Sequence, residues 1–304
     1  MEEWKIQNKV VAIVSDNAAN IVAAIREGGW RHIGCFAHSI NLAVQASLSS
    51  LNTVLSKVKA IVEFFKRSSS GQAKLKDIQQ QMGLPDLKLK QDVVTRWNST
   101  YDMLTRFFTM KEAIVSTIAI LGNDLQNLTS NDWDIVEKAI SILEIFYNIT
   151  VEICSEKYVS LSKVPVLCKI MIRHVNKHLD AETTSTEIIS LLTTLKQQLT
   201  QRFQNIESNN LYAEATILDP RFKKLGFKDT GPYETVVSNL RRRLGAVRFQ
   251  ESPADAATTT AKSDPVPSTS SKLSIWSEFD AEMNNYIRPQ NQTAAGIKEL
   301  NLED

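Results

Sequence analysis

The sequence has little of what secreted or membrane proteins depend on. It contains three cysteines in 304 residues, Cys35, Cys154 and Cys168, which are too few and too scattered for a disulfide framework. A reducing compartment is therefore expected. No apolar run reaches the roughly 18 residues that span a bilayer, and residues 1–5 include no apolar signal region. These absences predict a cytosolic or nuclear protein without a membrane association.

An excess of one charge is also missing. Lysine and arginine number 35 against 34 acidic residues, so the net charge is +1, which excludes a strongly basic, histone-like protein. The sequence has no glycine-rich phosphate loop and no His-Glu-x-x-His pattern. These absences remove support for a kinase, a dehydrogenase or a zincin. The hydrophobic share of 43% is enough for a sizeable core.

The first forty residues predict a strand, a helix and a second strand. Residues 9–16 form a β-branched apolar run that ends in a polar cluster. Residues 17–27 carry apolar side chains at helical spacing before the stop signal Gly28-Gly29, and residues 31–37 form another short strand. This order is typical of one crossover unit of a mainly parallel sheet.

The remaining chain is predicted to be helical as far as residue 249. An apolar stripe from Leu42 to Phe65 is followed by predicted helices at 77–82, 99–120, 132–153, 165–179, 185–205 and 232–249. Asn131 or Ser130 is the expected N-cap of the 132–153 helix. Residues 251–272 lack large apolar side chains except Val266, so a disordered linker is expected there, before a last short helix at 275–287.

Two positions near the predicted strands suggest metal chemistry. Asp16 lies where the first strand ends, which in open α/β sheets faces the ligand crevice, and a carboxylate there suits a divalent ion. Alternatively, Asp16 merely caps the next helix. Cys35 and His38 have a zinc-chelating spacing, but a zinc site needs three or four ligands. We therefore interpret them as a structural strand-to-helix junction with a half-buried Cys35 and a hydrogen-bonded His38.

Residues 92–100 place Arg96 beside Trp97 at a predicted helix start, with Asn98 and Ser99 as capping side chains. A guanidinium pairs well with phosphate, and an indole can stack on a base. These two side chains are therefore candidates for nucleic-acid binding. In the alternative interpretation, Trp97 is a core anchor and Arg96 belongs to an ion pair.

Two stretches of the chain are locally basic. Residues 57–96 contain nine basic and four acidic residues, and residues 221–248 contain eight basic and two acidic residues. Their net charges of +5 and +6 suit a phosphate backbone. Solvated helix faces are the alternative explanation.

Four sequence blocks together resemble the hAT-superfamily transposases, and especially their domesticated relatives, the zinc-finger BED-domain-containing proteins. The first block, in residues 4–20, ends in Ser15-Asp-Asn-Ala-Ala-Asn20. The second is Cys35-Phe-Ala-His-Ser-Ile-Asn-Leu42, the third is Asp92-Val-Val-Thr-Arg-Trp-Asn-Ser-Thr-Tyr-Asp-Met-Leu104, and the fourth is Ala215-Thr-Ile-Leu-Asp-Pro-Arg-Phe-Lys223. The resemblance covers about residues 1–250.

The resemblance implies a mainly α fold, in which a partial RNase H-like α/β sheet remnant is followed by a large all-helical insertion domain. In this family, three acids hold two divalent ions, Mg²⁺ or Mn²⁺, for DNA cleavage and strand transfer. Asp16 matches the second acid. Arg96 and Trp97 match an Arg-Trp pair whose Trp handles an unpaired base, and Cys35 and His38 match a Cys-x-x-His element near the core.

Departures from the family pattern shape the functional prediction. The family's first acid lies on an earlier strand and its third should follow residue 304. The BED zinc finger and the dimerisation region are also not seen in this sequence. One carboxylate of three cannot hold two metal ions, so we expect a truncated, catalytically inactive protein without a functional cofactor.

The expected organisation is a partial RNase H-like core at 1–98, a helical insertion domain at 99–250, a disordered linker at 251–272, and a short helix and tail at 273–304. The expected function is weak, non-specific DNA association in the nucleus, or modulation of a full-length hAT-like relative. Two alternatives stay open: a helical protein-interaction module, and a DNA transposase that acts only with acids supplied by a partner.

Overall fold

The computed structural model describes residues 3, 5–6, 9–122, 127–154, 161–181, 185–246 and 275–276. Within these residues the fold is mainly α, with one small sheet of two strands, which confirms the expected fold class. No helix in these ranges is both long and apolar enough to cross a membrane. The predicted linker at 251–272 lies outside the described residues, as does the predicted segment 273–304 apart from 275–276.

The predicted strand, helix and strand are present. Strand β1 is Ile13–Ser15, helix α1 is Ala19–Glu27 and strand β2 is His32–Gly34. The two strands are parallel, with Ile13 opposite His32. Gly29 has φ +73°, a left-handed conformation that glycine adopts without strain, and it ends α1 as the sequence predicts.

The long apolar stripe is divided into two helices. Helix α2 is Phe36–Leu48 and helix α3 is Asn52–Arg67, with a 3-10 turn at Ser49–Leu51 between them. Leu48 and Leu51 are both buried, so the apolar spacing continues through the turn. The sequence pattern therefore carries no sign of the break.

Helix α4 is Ser69–Gln81 and begins well before the predicted start at Asp77. Ser68 is its N-cap, and the Ser68 hydroxyl accepts a hydrogen bond of 3.0 Å from the Gly71 amide. Residues 68–70 are three consecutive serines at the end of α3. Because serine is also a strong N-cap, it ends α3 and starts α4 at once.

The predicted helix at 99–120 is two helices, α5 (Trp97–Thr109) and α6 (Lys111–Leu121). Met110 separates them with φ −98° and ψ 11°. Met110 is itself buried, so it continues the apolar pattern while interrupting the helix.

Helix α7 is Ser130–Ile153, and its N-cap is Thr129 rather than the predicted Asn131 or Ser130. The Thr129 hydroxyl accepts from the Asp132 amide at 3.2 Å, and the Asp132 carboxylate accepts from the Thr129 amide at 2.8 Å. This is a capping box. The same carboxylate pairs with Lys57 of α3 at 2.8 Å, so the start of α7 is tied to α3.

The last predicted helices are also found. Helices α8 (Val164–Asp180), α9 (Thr186–Phe203) and α11 (Thr230–Ala246) match the expectations at 165–179, 185–205 and 232–249, although residues 247–249 lie outside the described ranges. Helix α10 (Asn210–Leu218) was not predicted. It is short, and Asn209 caps it by accepting from the Leu211 amide at 3.1 Å.

The chain divides into two compact units. Unit 1 comprises residues 1–156 and 171–204, and unit 2 comprises 157–170 and 205–304. The predicted domain boundary at residue 98 lies inside unit 1, so it does not coincide with this division. The core of unit 1 includes large side chains from α2, α3, α5, α6 and α7 that are almost fully buried: Ile40, Ile61, Phe65, Trp97, Phe107, Ile114 and Phe146.

Unit 2 has an apolar cluster of its own. Its buried members are Ala213 of α10, Val236 of α11 and Phe227, which precedes α11. Tyr233 of α11 packs against Phe227 with ring centroids 5.6 Å apart. Both helices thus contribute to one small core.

Replacing Asp132 with alanine should destabilise unit 1. The change removes the capping box and leaves Lys57 without its carboxylate, so we expect a loss of about 2 kcal/mol in the free energy of unfolding. Asp134→Ala is the matched control on the same helix, because Asp134 is 48% exposed and its one ion pair among the described residues is with Lys138. That control should cost less than about 0.5 kcal/mol. Urea unfolding of the three proteins measures the difference.

The effect of Asp132 should also depend on pH. Burial alone would raise the pKa of Asp132, but hydrogen bonds from Lys57 and Thr129 outweigh burial and lower it below the usual 3.8. A carboxylate with a lowered folded pKa stabilises the fold above its unfolded pKa, and this stability is lost as pH falls through the folded pKa. The difference between wild type and Asp132→Ala should therefore be full at neutral pH and shrink below 3.8. A difference that stays constant with pH would contradict this assignment.

Candidate functional site

A buried carboxylate holds the loop that precedes α5, residues 91–96. The Asp92 side chain is 7% exposed and pairs with Lys59 of α3 at 2.6 Å. The same carboxylate accepts hydrogen bonds from Ser99 at 2.9 Å and Thr100 at 2.8 Å, both in α5. Asp92 therefore attaches the loop to two helices, α3 and α5.

The electrostatics of Asp92 agree with this role. Burial alone would raise the pKa of Asp92, but hydrogen bonds from Lys59, Thr100 and Ser99, and the charge of Lys59, outweigh it. The pKa is lowered below 3.8, so the carboxylate is ionised at neutral pH.

Helix α2 holds the other end of the loop. The Asn41 side-chain oxygen accepts from the Trp97 amide at 3.1 Å, and the Asn41 amide group donates to the Thr95 carbonyl at 3.5 Å. One turn further along α2, Gln45 donates to the Val94 carbonyl at 2.9 Å. The loop backbone thus obtains from α2 the partners that regular secondary structure would otherwise supply.

The predicted capping of α5 by Asn98 and Ser99 is wrong. Arg96 is the N-cap, without a side-chain capping bond of its own. Asn41, remote in sequence, accepts from the first helical amide instead. Ser99 braces the loop, since its hydroxyl accepts from the Val93 amide at 2.7 Å and its single hydrogen is within reach of both the Asp92 carboxylate and, at 2.6 Å, the Arg96 carbonyl.

The braced loop presents the four side chains of residues 93–96 to solvent. Val93 is 52% exposed, Val94 is 83% exposed, and Thr95 and Arg96 are also exposed. Within the described residues, Arg96 forms no ion pair, so the ion-pair alternative is not observed. We call residues 93–96 the loop tip.

Trp97 lies in the core and not at the surface. It is 1% exposed and packs beside Tyr101 and Tyr147, with ring centroids 6.5 Å away in both cases. Its indole Nε1 has no hydrogen-bond partner among the described residues. A base cannot stack on a ring that is covered in this way, so the structure disagrees with the expected base-stacking role and agrees with the core-anchor interpretation.

Asp16 is an exposed carboxylate just beyond β1. It is not the N-cap of α1; that position is Ala18, whose amide contacts the Asp16 carboxylate at 3.4 Å. Across the described ranges, no three His, Cys, Asp or Glu side chains group together to hold a metal ion. The described residues around Asp16 therefore do not fit a pair of divalent ions.

Cys35 and His38 lie at the junction between β2 and α2. Cys35 is half-buried, is the N-cap of α2, and donates its amide to the Ser15 carbonyl at 2.7 Å. His38 is half-buried and makes no side-chain hydrogen bond to any described residue, so the expected hydrogen bond is not observed. The neighbouring His32 instead lies 3.0 Å from the Ser15 hydroxyl.

The first three sequence blocks meet in space. The bond from the Cys35 amide to the Ser15 carbonyl joins the first block to the second. The bond from the Trp97 amide to Asn41 joins the second block to the third. The blocks that are separated along the chain thus form one connected structure within unit 1.

The fourth block lies in unit 2, where Asp219 makes a tight cluster. Arg221 donates to the Asp219 carboxylate through Nε at 2.9 Å and Nη2 at 2.7 Å, and Ser162 donates to it at 2.7 Å. The hydrogen bonds from Arg221 hold the pKa of Asp219 well below its usual range. This carboxylate connects the end of α10 to the turn before α8.

Most lysines and arginines of the 57–96 stretch are paired with acids. The pairs are Lys57 with Asp132, Lys59 with Asp92, Arg67 with Glu63, Lys76 with Asp86 and Lys90 with Asp102. In the 221–248 stretch, Arg221 and Arg243 pair with Asp219 and Glu214, while Lys223, Lys224 and Arg241 are exposed. The first stretch is therefore better described as an ion-paired surface than as one continuous phosphate-binding face.

Sequence reasoning missed the residues that shape the loop tip. Asn41, Gln45 and Lys59 were not singled out, although Asn41 belongs to the second block. Asn41 and Gln45 are four residues apart and so share one face of α2. Two amide side chains one helical turn apart were the available signal, although this spacing does not identify the main-chain atoms that they bind.

Comparison with known proteins identifies the relatives of this chain. Residues 33–142 match the family model described as the ZBED1 RNase-like helical domain. Human zinc finger BED domain-containing protein 4 is 27% identical over 267 residues, which covers 87% of this chain and 22% of that protein. A putative AC transposase of Zea mays is 26% identical, covering 74% of this chain and 30% of the relative. The putative transcriptional regulator tpeD of Talaromyces stipitatus is 24% identical, covering 77% and 30%.

This chain is similar in sequence to zinc finger BED domain-containing proteins and to a putative AC transposase. The resemblance carried by the four blocks is confirmed. The chain spans less than a third of the length of these three relatives. The matched family region begins within β2, includes the braced loop and α5, and ends within α7.

Trp97→Ala should behave as a core substitution. Removing a buried indole of this size is expected to cost about 3–5 kcal/mol of stability and to lower the melting temperature by several degrees. Val94→Ala is the matched control in the same segment, and it should leave the melting temperature unchanged because Val94 is mostly exposed. Differential scanning calorimetry measures both. Equal melting temperatures for wild type and Trp97→Ala would show that the indole is not a core anchor.

Proposed function

We propose that this transposase-derived chain associates with DNA in the nucleus without cutting it, and that Arg96 on the loop tip contacts a phosphate. The proposed binding is weak and independent of DNA sequence, because a guanidinium that pairs with a DNA phosphate makes no contact with the bases. A full-length hAT-like relative bound to the same DNA is a second proposed partner, which the chain would modulate.

The exposed Arg96 on a braced loop carries this proposal. Its backbone is held through Ser99, and the neighbouring positions are held by Asn41 and Gln45. Because the backbone at Arg96 is already ordered, little backbone conformational entropy is lost when its side chain binds. An arginine that no described acid neutralises keeps its full charge for a phosphate.

The names of the relatives support DNA and the nucleus as the setting. One is a transposase, one is a transcriptional regulator and one carries a zinc finger BED domain in its name. The names transposase and transcriptional regulator describe proteins that act on DNA or on its transcription. The proposal transfers only this general setting, since the chain matches a minor part of each relative.

The absence of cutting is proposed from the surroundings of Asp16. The described residues bring no carboxylate cluster to this exposed side chain. Two divalent ions need several carboxylates at once, so a single acid does not support strand cleavage. The remaining alternative, a transposase completed by acids from a partner, requires a second protein.

Arg96→Ala should weaken DNA binding and reduce its salt dependence. Each phosphate contact contributes about −0.9 to the slope of log affinity against log salt, so the slope should flatten by about one unit. Arg67→Ala is the matched control, because Arg67 is a surface arginine that pairs with Glu63 at 2.7 Å. Fluorescence anisotropy on a duplex at several salt concentrations measures the slopes. Equal slopes for Arg96→Ala and wild type would remove Arg96 from the interface.

Purified protein with Mg²⁺ or Mn²⁺ should not nick supercoiled DNA more than the Asp16→Asn variant does. The exposed position of Asp16 lets the variant fold normally, so any difference would report chemistry and not stability. Agarose-gel conversion of supercoiled to open-circular plasmid is the measurement. Nicking that depends on Asp16 would overturn the proposal of an inactive protein.

A helical protein-interaction module is the second candidate function. A groove in unit 1 that is lined by apolar and basic side chains favours it.

A further inference from the structure

Unit 1 contains a groove of about 580 Å³ between α4 and the segment 86–89 that follows it. Ala73, which is exposed, and Leu87, which is half-buried, give the groove its accessible apolar surface, and the largely buried Phe65, Leu75 and Leu89 also line it. Pockets that take drug-sized ligands or peptide side chains have volumes of about 300–1,000 Å³. The groove is therefore large enough to receive one or two large side chains.

The wall of the groove is held in place. Gln79 of α4 donates to the Leu87 carbonyl and accepts from the Leu87 amide, both at 3.1 Å. Arg106 of α5 donates to the Lys88 carbonyl at 2.8 Å. Because two helices bind the main chain of this segment, the groove exists before a ligand arrives, and a ligand does not have to order its wall.

The charged residues of the groove are mostly basic. Lys66, Lys76 and Lys88 line it together with one acid, Asp86, which leaves a charge of +2. Lys76 pairs with Asp86 at 3.0 Å, whereas Lys66 donates only to the neutral Gln91 at 3.3 Å. Lys66 and Lys88 thus bring positive charge beside an apolar surface, without an acid of their own among the ion pairs of the described residues.

We propose that this groove binds an acidic segment of a partner protein. A large apolar side chain of the segment lies against Ala73 and Leu87, and flanking carboxylates face Lys66 and Lys88. The apolar part argues against a nucleic-acid backbone, which offers no large aliphatic group. The basic residues argue against a neutral apolar ligand, because they would lose hydration without gaining a partner.

This proposal is independent of the DNA contact at Arg96. Arg96 does not line the groove. The two sites can therefore be tested by separate variants of the full chain.

A fluorescein-labelled peptide, Glu-Asp-Glu-Leu-Phe-Asp-Glu-Asp, is the probe, and fluorescence anisotropy with the full chain measures its affinity. Ala73→Phe should abolish binding, since Ala73 is an exposed residue of α4 that lines the groove and a phenyl ring there occupies it. Lys88→Glu should weaken binding by about 3- to 10-fold, and Lys88→Arg should restore it. Lys74→Glu is the matched control, because Lys74 is in α4 but does not line the groove.

Two further peptides test the two halves of the ligand. Replacing Leu and Phe with Ser, or replacing all acids with Gln, should each remove most of the affinity. Circular dichroism of the variants shows whether they keep the wild-type helix content. The proposal is overturned if folded Ala73→Phe binds the probe like wild type, if the Gln peptide binds equally well, or if no binding is seen. It is also overturned if a DNA duplex, in an Arg96→Ala background, displaces the probe from the groove, which would make this a nucleic-acid site.

Discussion

The ionised carboxylate of Asp92 is the interaction on which the architecture around the loop tip depends. A charge with so little exposure is tolerated only when partners replace its hydration. Lys59, Ser99 and Thr100 do so here, and they come from two different helices. The need to satisfy one buried charge therefore brings α3, the loop and α5 together. If any one of these three partners is removed, the Asp92 carboxylate stays buried with fewer hydrogen bonds than its charge requires.

The contrast between Arg96 and Trp97 follows from the same arrangement. Arg96 is the N-cap, where the backbone is still extended, while Trp97 is the first residue with helical geometry. The step from one to the other turns the chain, so one side chain faces solvent and its neighbour enters the core. A sequence motif of two adjacent residues thus combines two separate roles. The indole supports the position from which the guanidinium extends.

The fold was predictable where the signal is local. The β-branched run, the glycine stop after α1 and the 3.6-residue spacing of the later helices indicated the element types correctly. Element boundaries failed where an apolar residue interrupts a helix, as at Met110, or where one residue has two capping roles, as at Ser68. Neither case changes the hydrophobic pattern. The break at Met110 needs tertiary information, whereas the cap at Ser68 is a local bond to Gly71 that the hydrophobic pattern does not report.

The candidate site was predictable only in part, and for a related reason. Arg96 was identified because adjacent Arg and Trp residues are conspicuous in sequence. Asn41 and Gln45 were not, because they act on main-chain atoms about fifty residues away. No local pattern reports such a bond. The resemblance to transposases marked Trp97 as a base-handling residue, and its burial in this chain shows that a motif does not determine the exposure of its members.

The tether of the loop tip has a consequence for how this surface can evolve. Gln45 and Asn41 bind the carbonyls of Val94 and Thr95 and the amide of Trp97, all of them main-chain atoms. These bonds do not depend on which side chains occupy positions 93–95. Substitutions at these positions can accumulate while the main chain of the loop tip keeps its hydrogen bonds to α2, much as hypervariable loops change on an unchanging framework. Copies of this gene that diverge after duplication can thus acquire new recognition surfaces while they keep the same fold.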